Sequence, residues 1–126
     1  MQNRKNIEIK IGKFGNLKIS EGLYAYVGSA FGGGGINSRV SRHIKVNKKC
    51  RWHVDYLRRH MRMKEIWTHI GNRDNEHHFA KVLTTFSGAE IPMKGFGSSD
   101  CNCLTHLIKL SEVPEVFDED FTILKF

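Results

Sequence analysis

Tyr26, Arg39 and His43 place a phenol, a guanidinium and an imidazole within residues 22–46, a combination suited to a phosphodiester. A guanidinium can offset charge on a reacting phosphoryl group, and an imidazole or phenol can position or deprotonate water. Arg39 and His43 stand four residues apart, beside a stripe formed by Ile36, Val40 and Ile44, so one helix can bury the stripe and display the pair. The same residues also read as ordinary surface: Tyr24 and Tyr26 as amphipathic sheet residues, Arg39 and His43 as solvated helix residues. Gly32 to Gly35 resemble a phosphate loop only superficially. Ser38 and Arg39 stand where a Walker loop needs Lys followed by Ser or Thr, so no nucleoside-triphosphate site is expected.

The elements that must position these groups are a strand, a glycine turn and a basic helix. Leu23, Ala25 and Val27 alternate with Tyr24, Tyr26 and Gly28, which puts the tyrosines on one side of a strand. Before it, Ile7, Ile9 and Ile11 alternate with polar residues, a turn falls around residues 12–16, and residues 17–19 begin the return. Three successive antiparallel strands behind a flexible N-terminus are therefore expected. Helical spacing predicts helices near residues 36–46, 52–61 and 75–87, with Asn37 or Ser38 capping the first helix or lying in its first turn and Asp74 capping the third. Further strands are expected over residues 63–70 and 121–126. Residues 103–110 return the chain to the sheet with an irregular edge or bulge, because Leu104, Leu107, Ile108 and Leu110 share no strict period. The fold class is α/β, a single domain of 126 residues with a small antiparallel or mixed sheet and flanking helices.

Charge is unevenly divided. Residues 1–64 carry 15 Lys plus Arg against 3 Asp plus Glu, and residues 65–126 carry 5 against 10, so a half at +12 adjoins one at −5 and the chain is +7. Arg39, Arg42, Lys45, Lys48, Lys49, Arg51, Arg58, Arg59, Arg62 and Lys64 form the densest run, which can attract a polyanion by counterion release. Phosphate-backbone binding is accordingly expected at Arg42, Lys45, Lys48, Lys49, Arg51, Arg58, Arg59 and Arg62. No apolar run approaches the roughly 20 residues of a membrane span, and three cysteines, an odd number, fit a reducing, intracellular setting with no membrane partner.

Trp52, Tyr56 and Leu57 read as core residues, whereas a buried His53 or Asp55 would need a polar partner. Cys101 and Cys103 put two thiols on one side of an extended segment. With His106 and a remote Cys50 or His53 they make a candidate structural zinc site, and buried free cysteines are the simpler alternative. His77 and His78 lie off the centre of the third helix's buried stripe and read as exposed. Glu76, near the start of that helix, can serve simply to neutralise its positive end.

The ordered string Gly22-Leu23-Tyr24-Ala25-Tyr26-Val27-Gly28-Ser29-Ala30, Gly34-Gly35-Ile36, Arg39, Arg42-His43, Trp52 to Leu57, Gly97 to Cys103 and His106-Leu107 resembles a branch of the GIY-YIG nuclease superfamily, from about Ile9 onward. The resemblance implies a small α/β domain that cuts DNA with a divalent metal, Mg²⁺ or Mn²⁺. The metal-holding glutamate falls on Glu76, the helix arginine on Arg39 and the second-signature tyrosine on Tyr26, while the position of His43 resembles a further site residue. In that branch a strand bearing Gly-x-Tyr precedes the segment matched by Ile9 to Ile19, and here only MQNRKNIE stands before it. Either the chain starts within the pattern, or another segment completes the sheet, or catalysis is lost. Three expectations follow: a metal-dependent endonuclease acting on DNA, an inactive nucleic-acid-binding module, or a protein-interaction or structural domain.

Overall fold

The computed structural model describes residues 1–31, 34–97 and 103–126. The first expectation met is the hairpin. Strands β2 (Ile7–Ile11) and β3 (Gly15–Ile19) pair antiparallel, with Ile9 opposite Leu17 and Ile7 opposite Ile19, across a one-turn 3₁₀ helix at Gly12–Phe14. Ile9, Ile11, Leu17 and Ile19 are all buried, each worth about 1.5–3 kcal/mol for its side chain removed from water.

Strand β4 (Gly22–Tyr26) does not join this hairpin. It lies centrally in a second sheet of order β1-β4-β6, between β1 (Gln2–Asn3) and β6 (Leu107–Leu110). The three consecutive strands expected from short turns therefore split between two sheets. The N-terminus expected to be flexible is instead built in. Gln2 pairs with Leu23 and also exchanges backbone hydrogen bonds with Arg62, at 2.8 and 2.9 Å. Asn3 is buried, and its amide donates to the carbonyls of Lys5 and Ser20 at 2.7 and 3.0 Å. Without this segment the outer edge of β4 would present unpaired backbone groups.

The β4 alternation divides two cores. Tyr24 and Tyr26 pack with the hairpin, with Val54, Leu57 and Met61, and with Phe96 and Leu107; Leu23, Ala25 and Val27 pack with Leu83, Ile108, Leu110 and Phe117. Strand β6 keeps regular register, Tyr26 opposite Leu107 and Leu23 opposite Leu110, so the expected bulge does not occur there. Its apolar run lacks alternation because both its faces are covered. Glu90 bridges its free edge through a pair of backbone hydrogen bonds to Lys109.

Helices α1 (Gly35–Ile44), α2 (His53–Arg58) and α3 (Asn75–Thr84) fall where helical spacing placed them, each shorter than expected. Gly34, in the left-handed region at φ +85°, starts α1, and Asn37 and Ser38 lie in its first turn. Asp74 occupies the N-cap position of α3 but caps nothing with its side chain. Asn72 Oδ1 instead accepts the Asp74 N–H at 2.9 Å. Strands β5 (Glu65–Thr68) and β7 (Thr122–Lys125) form a third, two-stranded antiparallel sheet, beside which Trp67 packs on Phe117 and Phe121. The result is a compact mixed α/β domain with small antiparallel sheets and flanking helices. No described helix is long and apolar enough to cross a membrane.

Candidate functional site

The link between α1 and α2 is organised by Asp55, which is fully buried and accepts four contacts. The backbone N–H groups of Arg51 and Trp52 donate to it at 2.9 Å each, Arg42 donates at 2.8 Å, and the Lys48 ammonium lies 3.3 Å away. Burial pushes the Asp55 carboxyl upward, but the two backbone donors, the Arg42 guanidinium and the Lys48 charge outweigh it and hold it below the usual carboxylate range. Lys48 is pulled down by burial, with the Asp55 charge opposing. It also donates to the Arg42 carbonyl. Arg58 donates to the carbonyls of His43, Ile44 and Met61 at 2.9, 3.0 and 2.8 Å, tying the end of α1 to the end of α2.

These contacts sort the basic run. Arg42, Lys48 and Arg58, expected to meet phosphate, use their cationic groups inside the fold. Lys45, Lys49, Arg51, Arg59 and Arg62 are exposed, and of these Arg59 also donates to the Lys48 carbonyl at 3.1 Å.

Asp55 fixes the backbone of Trp52, and Trp52 in turn carries the arginines. The guanidinium of Arg39 lies 4.1 Å from its ring centroid, that of Arg42 4.6 Å and that of Arg51 5.5 Å. The His43 ring sits between Trp52 and Tyr26, at centroid distances of 5.9 and 6.0 Å. Burial, reinforced by the Lys48 charge, pushes the His43 imidazole down to about 4, so it is neutral at pH 7. The Tyr26 phenol is pushed up to about 12, first by burial and then by the Glu76 charge, with Arg39 opposing. Tyr26, Arg39, His43 and Glu76, singled out from sequence, thus share one region: a protonated phenol, a guanidinium stacked on indole, a neutral imidazole and a carboxylate.

Glu76 also meets one of the expected zinc residues, His106. His106 is fully buried, with Nδ1 3.1 Å from the Val27 carbonyl and 3.3 Å from Glu76 Oε1. The His77 Nδ1 atom lies 2.9 Å from Cys103 Sγ. His77, Cys103 and His106 offer ligand atoms all within 4.8 Å of one another, as do His69, Asp118 and Asp120, and either group can in principle coordinate a metal ion. Cys101, the other expected thiol, lies outside the described residues. Where His53 or Cys50 was expected, the group among the described residues contains His77. His53 Nδ1 accepts the Gly97 N–H at 3.1 Å and its ring stacks on Phe14, and neither His53 nor Cys50 is in the group. Nothing in the spacing of His77 pointed to Cys103, 26 residues away.

Gly97 is the junction of the two groups. At φ +70°, a Cβ there would stand 3.1 Å from both His106 Cβ and Tyr26 Cε2, so only a glycine lets the backbone pass between them without displacement. For Mg²⁺ or Mn²⁺, Glu76 provides a partly exposed carboxylate, 22% accessible. One carboxylate suffices for such an ion when water and a substrate phosphate complete its shell, so the residues present fit the group.

Fold and site together describe a mixed α/β domain whose central strand and first helix carry a phenol, a guanidinium and an imidazole against a carboxylate at the start of a later helix. The chain belongs to the family described as "Domain of unknown function DUF123", which matches residues 1–125. No curated protein and no solved structure matches it.

Proposed function

We propose that this chain is a metal-dependent endonuclease that hydrolyses phosphodiester bonds in DNA on a GIY-YIG-like domain. The observation that carries this is the region where Tyr26 meets His43, His43 and Arg39 meet the Trp52 ring, the Glu76 charge acts on the Tyr26 phenol, and the exposed Arg51 guanidinium lies over the same indole. Mg²⁺ or Mn²⁺ held by Glu76 would polarise a phosphate oxygen and ease departure of the leaving group. Arg39, braced on Trp52, presents its charge to the phosphoryl oxygens with little reorganisation as negative charge builds up. Tyr26 keeps its proton at neutral pH and orients the attacking water by hydrogen bonding. His43, neutral at pH 7, accepts that water's proton, as a weak base whose contribution is mainly positional. Lys45, Lys49, Arg51, Arg59 and Arg62 hold the backbone of the nucleic acid.

Binding without cleavage is favoured by one observation. The segment that completes the sheet beside β4 is Gln2–Asn3, which carries no tyrosine, while the Tyr24 hydroxyl is engaged with the Ser20 carbonyl at 2.8 Å. Paired cleavage and binding assays on branched, single-stranded and duplex DNA and on RNA, with Mg²⁺, Mn²⁺ or chelator, separate the two. Under the nuclease reading Glu76→Ala abolishes metal-dependent turnover while leaving most binding, and Arg39→Ala lowers turnover more than affinity. Binding by a folded parent that never cleaves would establish the inactive module instead. Cleavage unaffected by Glu76→Ala would remove this centre.

A further inference from the structure

We propose that His77, Cys103 and His106 bind one Zn²⁺-class ion, and that this ion fastens helix α3 to the segment entering β6. The proposal does not rest on nuclease activity. Three features carry it, beginning with the donor set. Two imidazoles and a thiol are soft and borderline donors, suited to Zn²⁺ or Co²⁺ and poorly suited to Mg²⁺ or Ca²⁺.

The second feature is geometry. Tetrahedral coordination with Zn–N near 2.0–2.1 Å and Zn–S near 2.3 Å separates a ligating nitrogen and sulfur by about 3.6 Å. All three ligand atoms already lie within 4.8 Å of one another, and His77 Nδ1 is 2.9 Å from Cys103 Sγ. Widening that one contact takes a small rotation of His77, whose side chain belongs to an exposed residue and has room to turn.

The third feature is the orientation of His106. Its Nδ1 lies at hydrogen-bond distance from the Val27 carbonyl, with the Glu76 carboxylate alongside at 3.3 Å. A proton held on Nδ1 by these acceptors puts the ring's lone pair on Nε2. This is how a metal-ligating histidine is commonly set, its second nitrogen donating to a carbonyl or carboxylate that fixes tautomer and ring plane. Gly97 packs against the Cβ of the same residue and restricts it further.

Binding displaces the thiol proton of Cys103 to solvent and forms two metal–nitrogen bonds and one metal–sulfur bond; among the described residues no fourth ligand joins the group. Because Glu76 immediately precedes His77 on α3, the cross-link also fixes the carboxylate next to His106. The oxygen-ligand ion of the proposed nuclease and this ion thus draw on different atoms of neighbouring residues.

The test uses the full chain, purified without chelator, with Zn²⁺ and then Co²⁺ as probes. One zinc per chain should survive gel filtration, and the Co²⁺ form should show thiolate-to-metal charge transfer and the d–d bands of a tetrahedral ion. Cys103→Ser should abolish the charge transfer, His77→Gln should weaken Co²⁺ binding at least about 100-fold, and Cys50→Ser should change neither. Glu76→Gln, which alters a neighbour of His106 Nδ1 and removes no ligand, should weaken binding about 10-fold with an unchanged spectrum. His77 is exposed, so its variant keeps the test decisive if Cys103→Ser misfolds. Sub-stoichiometric zinc, or binding indifferent to both His77→Gln and Cys103→Ser, would overturn the proposal. Zinc binding with these dependences in a protein that cuts nothing would sustain it while removing the nuclease reading.

Discussion

Replacing Asp55 by alanine tests whether the basic run is organised from inside. Asp55 is fully buried, receives backbone donors from Arg51 and Trp52, and neutralises Arg42 at 2.8 Å and Lys48 at 3.3 Å. Its removal strands two cations and two N–H groups at once. Losing one partner of a buried pair costs about 3–5 kcal/mol, and each orphaned donor about 1–3 kcal/mol. The effects overlap, so the expected loss is about 4 kcal/mol. In urea, with a slope near 2 kcal/mol/M, the midpoint should fall by about 2 M. Asp55→Asn keeps an acceptor oxygen and should lose about half as much. The pH dependence fixes the sign. The folded carboxyl lies below its ordinary 3.8, so its stabilisation is complete above that value and disappears as pH falls through the folded value; Asp55→Asn should lack this acid limb. A decrease below about 1 kcal/mol for Asp55→Ala, with a parent-like acid limb, would show that the network adds little.

Three other outcomes are expected. Lys45→Ala, Lys49→Ala and Arg62→Ala combined, all exposed positions, should lower the salt slope of DNA binding by about 3 without loss of stability, whereas a set containing Arg58 should unfold more readily, because Arg58 holds three carbonyls. His43 is neutral down to about 4 in the folded chain, against 6.5 for an ordinary histidine, so the unfolded chain binds the extra proton first and stability falls as pH drops from 6.5 to 4. The full shift corresponds to about 3 kcal/mol, reduced to about 1–2 kcal/mol by solvent screening at a partly exposed ring, and urea melts of parent and His43→Gln across that range should differ by this amount. Gly97→Ala forces a Cβ at positive φ against Tyr26 and His106, which should cost about 1–3 kcal/mol in thermal or urea melts and disturb the environment of the Tyr26 ring seen by near-UV dichroism.

What the sequence made legible follows the reach of local patterns. Ile7, Ile9 and Ile11 alternate against Glu8 and Lys10 because one face of β2 is wet, and the hairpin was readable for that reason. Strand β6 was harder: Leu107 faces the hairpin core and Ile108 and Leu110 the α3 core, so alternation, which presumes a solvated face, was absent. Two-residue β1 has no period, and its role depends on pairing with Leu23, some twenty residues away. The polar partners anticipated for His53 and Asp55 are present, Gly97 for one and two cations with two backbone donors for the other. Charge count could not separate Lys48, turned inward to Asp55, from its exposed neighbour Lys49.

The grouping of candidate residues depends on Gly97. Sequence order separates a Tyr-Arg-His-Glu set from a Cys-His set, but Gly97 packs between Tyr26 and His106, and Glu76 acts on both of them. Gly97 is held from the other side by His53, whose ring accepts its N–H while stacked on Phe14, so α2 and the hairpin take part in placing it. A substitution at any of these positions therefore reaches both groups, and loss of cleavage alone would not identify which was damaged. Metal spectroscopy follows the thiol and imidazoles, while the salt dependence of binding follows the outward cations. Used together with turnover, these readouts assign damage to one group: lost turnover with an unchanged Co²⁺ spectrum and an unchanged salt slope marks the Glu76 carboxylate rather than the thiol or the outward cations.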